Sequence, residues 1–373
     1  MKKVAYITNT SPLSGMGRPT REIYSRLDKK RFEMDFFYLD GIKNELIKNN
    51  VRVSFVSSLP KPFALKPISW WRLSKSLPKS GYDLWHFTNQ TLSFIPREDF
   101  LLTVYDLIEL LDPQEKFGKY AAKFLYKGIS RAKHIICISE YTKRTLQDTY
   151  KVADEKITVI PLGISDSFVF NRDAKNTVGY HEFFREYKIP ANAKVILYVG
   201  SDHPRKNLNG LAEIFAKVLE TVPNCFLLKV GEPGVSVGRE HFLKKLDELG
   251  VREFVKFTGA ISDDKLQLAY SSADVFVSAS FFEGFGVPPL EAMACGCPVV
   301  CSNATSLPEV VGDAGVLLDP NDTSGFAEAI IKILNNPEFS VELQAKGLDR
   351  IKEFSWENIV AKTEEVYSKM LGE

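Results

Sequence analysis

The stretch FFEGFGVPPLEAMACGCPVV, residues 281–300, sets Glu283 and Glu291 eight positions apart among glycine, proline and apolar residues. Between them Gly284 and Gly286 let a ligand approach the backbone closely, and Pro288 and Pro289 suit the first turn of a helix, where a missing N–H costs nothing. The N–H groups of Phe285, Gly286 and Val287 can then point at an anion. Glu291 falls about one turn into that helix and Glu283 just ahead of the loop, so a carboxylate stands on either side of the anion. Carboxylates accept hydrogen bonds from hydroxyls, often two at a time. A phosphate flanked by polyols is a sugar nucleotide. The competing reading is a first-turn glutamate favoured by the helix dipole and an exposed loop glutamate.

A second group of chemically capable residues lies in VGSDHPRKNL, where Arg205 and Lys206 follow a strand and precede a helix. Cations are unfavourable at a helix N-terminus. Two of them there could neutralise a pyrophosphate as its charge grows during bond cleavage, with His203 supporting the loop or lying on the surface. Near the start, YITNTSPLSGMGRPTREIY gives a strand, a loop with Gly15 and Gly17, and a helix beginning near Pro19. This loop imitates a dinucleotide fingerprint, with Asp40 about 20 residues on, but Thr20 stands in place of the third glycine and the motif is degenerate. His86 in DLWHFTN and the Tyr105-Asp106 pair in LLTVYDL also fall at strand ends. His86 reads either as a site residue or as a partly buried structural histidine, and Asp106 as a binder of sugar or acceptor. Ser139 reads as an N-cap.

Placing such loops requires strands that end at a common edge. Short apolar runs alternate with amphipathic stretches: KVAYITN, MDFFYL, DLWHFT, FLLTVYD, HIICIS and ITVIPLG in the first half, then KVILYVG, CFLLKVG, VKFTGA, DVFVSAS, CPVVCS and GVLLDP. Runs of this length between helices predict parallel sheets covered on both faces, one doubly wound α/β unit in each half. The expected domains are residues 1–165 and 192–354, joined by a polar, weakly periodic linker at 166–191. A helix over 355–373, with apolar spacing at Trp356, Ile359, Val360 and Val366, is expected to pack back on the first domain. Two open sheets facing one another would leave an interdomain cleft at the carboxyl ends of their strands, where ligands bind in such folds.

Composition narrows the possible partners. The 373 residues carry a formal net charge of +1, which gives no general attraction to nucleic acid. The five cysteines, Cys137, Cys225, Cys295, Cys297 and Cys301, are an odd number with no histidine near the last three. They read as small buried residues rather than disulfides or metal ligands. No apolar run reaches the ~20 residues that span a bilayer, and the N-terminus shows no signal-peptide core, so a cytoplasmic location is expected. Residues 51–82 contain no acid but include Arg52, Lys61, Lys66, Arg72, Lys75 and Lys79 beside Phe63, Trp70 and Trp71. Within 61–79, Trp70, Leu73 and Leu77 could form one helical face resting on an anionic membrane at its inner surface, or could pack inward.

The spacing E-G-F-G-V-P-P-L-E followed by A-M-A-C-G-C-P-V-V resembles the E-x7-E motif of the retaining glycosyltransferases of family 4. These have the GT-B architecture of two facing Rossmann-like domains. The resemblance runs densely from VILYVGSDHPRKNLNGL to SNATSLPEVVGDAGVLLDP and more loosely through the first half. It implies an acceptor-binding first domain and a donor-binding second one, with Glu283 on the donor sugar, Glu291 on the ribose hydroxyls and Lys206 on the pyrophosphate. Ser201 stands where the family usually has an arginine, so Arg205 would supply the guanidinium, as in the R-K-N variant met among mannosyl-transferring members. Thr258, Gly259 and Ala260 fall where the backbone meets the base, and Gly15 and Gly17 belong to the loop facing donor phosphates and acceptor. Tyr105-Asp106 replaces the family's His-Asp pair, leaving Tyr105 or His86 to orient the sugar. Glu309 matches a family position and reads as structural or supporting.

The implied activity is transfer of a mannose- or glucose-type hexosyl group, with retention, from a GDP- or UDP-sugar to a glycan or lipid-linked acceptor in polysaccharide, exopolysaccharide or glycolipid synthesis. Double displacement would need a second carboxylate behind the anomeric carbon, and the motifs offer none, which leaves front-face substitution. No D-x-D motif is present, and SDDKL at 262–266 reads as a helix N-cap, so neither metal nor cofactor is expected. The alternatives are a sugar-nucleotide-binding protein without catalysis, a sugar-nucleotide epimerase on the same fold, and an NAD enzyme.

Overall fold

The structure, a computed structural model, describes residues 1–9, 17–38, 53–55, 77–111, 116–234 and 236–373. The chain forms two compact units, residues 1–163 with 356–373, and residues 164–355.

The first unit holds a seven-stranded sheet in the order β3-β2-β1-β4-β5-β6-β7, with every pairing parallel. Its strands are β1 (Lys2–Thr8), β2 (Phe32–Tyr38), β3 (Val53–Phe55), β4 (Leu84–Phe87), β5 (Phe100–Val104), β6 (His134–Cys137) and β7 (Ile157–Val159). Alternation along β1 explains the two apolar layers. Ala5 and Ile7 join Phe37, Phe87, Phe100, Leu102 and Tyr126 on one face, and Val4 and Tyr6 join Phe36, Leu84, Leu101 and Ile136 on the other. That second layer is completed by the helix Trp356–Leu371, which buries Trp356, Ile359, Val360, Thr363, Val366 and Tyr367 on one stripe. The Trp356 ring lies so close to Gly163 that an added Cβ would sit 2.5 Å from it.

The second unit holds a six-stranded sheet in the order β10-β9-β8-β11-β12-β13, again parallel throughout. These strands are β8 (Lys194–Val199), β9 (Cys225–Val230), β10 (Val255–Gly259), β11 (Val275–Ser278), β12 (Val299–Ser302) and β13 (Val316–Leu318). Strand order reverses between β8 and β11. Loops leaving the two strands there diverge to opposite faces and open a crevice at the strand ends. VGSDHPRKNL follows β8 and FFEGFG follows β11.

The expected linker at 166–191 is instead part of the second unit. Phe168 meets Tyr270 edge-on at 5.8 Å. The helix Val178–Glu186, capped by Thr177, buries Tyr180, Phe183 and Phe184. Its polar surroundings hid these aromatic anchors. Twelve expected strands are present. The thirteenth, β3, is three residues long and too short to show a period. All five cysteines are free and buried, and burial pushes the thiols of Cys225 and Cys295 up to about 12. Among the described residues no helix is long and apolar enough to cross a membrane, and no group of three or more His, Cys, Asp or Glu is arranged to hold a metal.

Candidate active site

After β8 the chain makes a short 3₁₀ turn, Pro204–Lys206, stopped by Asn207 in the left-handed region with φ of 54°. Asn207 Oδ1 then caps the helix Leu208–Thr221 by accepting from Gly210 N at 3.2 Å. Arg205 and Lys206 are therefore presented ahead of a helix whose own end is satisfied. His203 supports this turn, its Nδ1 accepting from Arg205 N at 3.4 Å.

Across the reversal point the loop after β11 is tied to this turn, Phe281 N donating to Arg205 O at 2.8 Å. Lys206 Nζ donates to both carboxylate oxygens of Glu283, each at 2.7 Å. Ser280 Oγ donates to Glu283 Oε1 at 2.8 Å. Arg205 lies 3.6 Å from Glu283 and donates to Phe282 O at 3.0 Å. Burial alone would raise the Glu283 pKa, but Lys206 and Arg205, with the Lys206 and Ser280 hydrogen bonds, outweigh it and hold the carboxyl below its ordinary range. The arrangement is one carboxylate facing two cations.

The loop between the two motif glutamates is fixed from beneath. Thr305, a β-branched residue at φ of 54°, is in a strained backbone conformation, and its Oγ1 accepts from Glu283 N at 3.0 Å. Ser306 Oγ, with one proton to share, lies 3.0 Å from Glu283 O and 2.9 Å from Phe285 O. Gly286 has φ of 112°, and a Cβ there would be 2.8 Å from Leu307. It immediately precedes the helix Val287–Ala294. Gly284 belongs to the same loop. Glu291, inside that helix and buried, accepts from Tyr270 Oη at 2.9 Å. Burial and this carboxylate raise the Tyr270 pKa well above its ordinary value.

At the end of β10, Gly259 O accepts from Gly231 N at 2.9 Å, Thr258 Oγ1 donates to the same carbonyl, and Ala260 N donates to Glu232 Oε1 at 3.1 Å. Of the three positions expected at the base, Gly259 and Ala260 thus have a backbone group engaged, Ala260 by a carboxylate, and Thr258 contributes its hydroxyl. Ser201 O accepts from Tyr198 Oη at 3.2 Å.

In the first unit, His86 is not placed as a site residue. It is 1% exposed, and its ring nitrogens pair with Tyr367 Oη and Thr103 Oγ1, both at 2.8 Å. Burial pushes its pKa down to about 3, so it is neutral. With both nitrogens spent inside the core it has none left for a substrate. Tyr105, half-buried, borders a small cavity of about 30 Å³ with Tyr6, Pro19 and Trp356. Its N–H donates to Gln90 and its carbonyl accepts from Thr142. Asp106 Oδ1 accepts from Ile108 N at 3.1 Å, at the start of the short helix Ile108–Leu111. Gly17 caps the helix Arg18–Arg26 with φ of −87°, and Ser139 Oγ caps Glu140–Tyr150 through Thr142 N. Glu309 lies in the first turn of Leu307–Val311, where Arg350 holds its carbonyl at 2.6 Å. Gly15, Asp40, Trp70, Arg72, Leu73 and Lys75 lie outside the described residues. Leu77, offered as part of a membrane face, is buried in the first unit's core.

Residues 13–168 match the family described as Glycosyltransferase Family 4 and residues 180–350 the one described as Glycosyl transferases group 1. An uncharacterized glycosyltransferase of Methanocaldococcus jannaschii is 30% identical over 308 residues, covering 77% of this chain and 74% of that protein. The chain belongs to the group 1, family 4 glycosyltransferases. The O-antigen chain mannosyltransferase B of Escherichia coli is 35% identical over 251 residues, 67% of this chain and 64% of that relative. This family 4 chain spans between about a third and 64% of the length of the first curated relatives it matches. Among solved structures, the sucrose-phosphate synthase of Thermosynechococcus elongatus superposes over the full length of both chains with a TM-score of 0.83 at 23% identity, which gives the fold, GT-B.

Within this family 4 frame the structure brings Arg205, Lys206 and Glu283 into direct contact and attaches Glu291 from the side of Tyr270. Sequence reading missed Ser280, Thr305, Ser306, Tyr270 and Glu232, polar residues that support these loops from four different stretches of the chain. The serines offered one signal, SAS just before FFEGFG and SNATS after the next strand. Small hydroxyls at strand ends often satisfy loop backbone groups.

Proposed function

We propose that this protein transfers a mannosyl group from GDP-mannose, with retention, to a glycan or lipid-linked acceptor during polysaccharide assembly. The observation that carries the reading is the Arg205–Lys206–Glu283 cluster at the strand-order reversal of a family 4 chain. In the reading, the donor pyrophosphate replaces the Glu283 carboxylate as partner of the two cations, helped by the amides of Phe285, Gly286 and Val287. Glu283, released, accepts hydrogen bonds from the donor sugar's hydroxyls, and Glu291 accepts from the ribose. The bond from the anomeric carbon to the acceptor oxygen forms on the face from which the phosphate leaves, and the acceptor's proton passes to the departing phosphate oxygen. Arg205 and Lys206 stabilise the charge that develops there. The reading assigns that role to protein cations, so it is metal-independent, and excess EDTA should leave the rate unchanged. Tyr105 and Asp106 are assigned to the acceptor side.

GDP is favoured over UDP by Glu232. Guanine presents two adjacent N–H donors beside its carbonyl, which suit a carboxylate next to a backbone amide such as Ala260 N. Uracil flanks its single N–H with carbonyls, which a carboxylate repels. The relatives' mannosyltransferase names point the same way.

The test is thermal unfolding with GDP, GDP-mannose, UDP and UDP-glucose, followed by transfer assays with product NMR for anomeric configuration. A ligand at 100 times its Kd adds about 2.7 kcal/mol. Stabilisation by the guanosine series, lost in Glu291→Ala, with an α-linked product, supports the reading. Stabilisation by uridine ligands alone would overturn the choice of base, and no response to any of the four would overturn the proposal.

A further inference from the structure

Immediately behind the Arg205–Lys206 turn lies a buried charge cluster that the chemistry above does not use. Asp202, three residues before Arg205, has a side chain with no exposure, as does Lys229. Lys229 Nζ meets Asp202 Oδ1 at 2.5 Å and donates to Gly231 O at 2.8 Å. Arg239 Nε binds the other carboxylate oxygen. Lys229 comes from β9, opposite Tyr198 of β8. Arg239 comes from the helix Ser236–Glu248, and its guanidinium covers the Phe257 ring at 4.5 Å.

Asp202 is pinned by its backbone as well. Its N–H donates to Pro233 O at 3.0 Å, and its carbonyl sits so close to Gly238 that a Cβ there would be 1.7 Å away. No side chain fits at 238 without moving this turn. The far end of the turn is held by Phe281 N on Arg205 O. Removing three charges from water costs several kcal/mol per ion, and apolar replacements of such clusters are often neutral or stabilising. Stability alone therefore does not account for three charged residues here, whereas fixing one backbone position does.

We infer that Asp202, Lys229 and Arg239 form a positioning clamp, which seats the loop after β8 on β9 and the following helix so that Arg205 and Lys206 hold their places for an anion. That the anion is the donor's pyrophosphate rests on the proposed function. The clamp itself does not.

Arg239 is the accessible member, with a side chain 20% exposed, so Arg239→Met is the first variant and Arg239→Lys the rescue. Amide hydrogen exchange on the ligand-free full chain reads the clamp. Arg239→Met should speed exchange at residues 203–207 about tenfold while far-flung amides of the same unit keep theirs, and Arg239→Lys should restore most of the protection. Calorimetry with inorganic pyrophosphate should show a matching loss of affinity, recovered in the lysine variant. Phe257→Leu, which keeps all three charges but removes the ring beneath Arg239, should give a smaller change of the same sign and serves if Arg239→Met does not fold. Unchanged exchange at 203–207 in a folded Arg239→Met or Phe257→Leu protein would overturn the clamp. Altered exchange in a protein whose wild type binds neither pyrophosphate nor any nucleoside diphosphate would uphold the clamp and remove the donor reading.

Discussion

Replacing Lys206 by Met isolates the energetics of the site. Glu283 keeps its Ser280 hydrogen bond and Arg205 at 3.6 Å, but loses two 2.7 Å bonds from the ammonium. Breaking a buried pair by removing one partner costs about 3–5 kcal/mol. Because Arg205 remains nearby, the expected loss is about 3 kcal/mol at pH 7. Glu283→Gln alone leaves Arg205 and Lys206 without their carboxylate and should cost roughly 2–3 kcal/mol. The double variant has no uncompensated carboxylate and should cost about 2 kcal/mol, a coupling of roughly 3 kcal/mol. The tryptophans make the assay selective: residues 164–355 contain none, and the described ones, Trp85 and Trp356, both belong to the first unit. Loss of far-UV circular dichroism follows both units, whereas tryptophan emission follows the first. Lys206→Met should therefore move the dichroism transition in urea without moving the fluorescence one. The Glu283 carboxyl is held below its ordinary value, so its contribution is complete above about pH 4.5 and disappears as pH falls through the lower folded-state value. Additive single and double variants, or a single-variant loss under about 0.5 kcal/mol, would show that the pair is not coupled and would refute the reasoning.

Other expectations can be checked with the same two signals. His86 has a folded pKa of about 3 against an ordinary 6.5, so below pH 6.5 only the unfolded chain takes up its proton. The first unit should lose up to roughly 4 kcal/mol between pH 6.5 and 3, and a folded His86→Gln protein should show a flatter fluorescence-detected stability profile over that range. His134, pushed down to about 4 by burial and by Lys369, adds a slope of the same sign in both proteins. Gly286→Ala places a side chain at φ of 112° and 2.8 Å from Leu307, and should cost the second unit more than about 1 kcal/mol, visible only by dichroism. Trp356→Ala empties a fully buried site against Gly163 and should cost the first unit about 3–5 kcal/mol, read by urea denaturation with Trp85 as the reporter.

The strands were legible because buried parallel strands read as unbroken apolar runs, and CFLLKVG and DVFVSAS needed no further context. Glu283, Arg205 and Lys206 stood out because charges flanking glycine loops have few structural reasons to be there, and the fold brings the three into contact. The segment 166–191 was misread because its burial depends on Phe168, Tyr180, Phe183 and Phe184 finding surfaces made elsewhere in the chain. His86 carried two readings until the partners on either side of its ring, Thr103 and Tyr367, were located 17 and 281 residues away. The clamp around Asp202 left one trace, a lone lysine inside CFLLKVG. Its meaning depends on the register that sets Lys229 beside Tyr198 and on a helix that presents Arg239. Contacts of that kind belong to tertiary packing, which local composition does not encode.

The helix Trp356–Leu371 completes the apolar layer formed by Val4, Tyr6, Leu84, Leu101 and Ile136, yet a ribosome makes it only after the whole of residues 164–355. Domains generally fold as units in order of synthesis, but here the order is inverted. The second unit, whose ends meet where Ile164 N donates to Phe354 O at 3.0 Å, can close while the first still shows an uncovered greasy face to solvent and chaperones. A nascent chain arrested before residue 356 would thus carry a finished second unit joined to an unfinished, aggregation-prone first one.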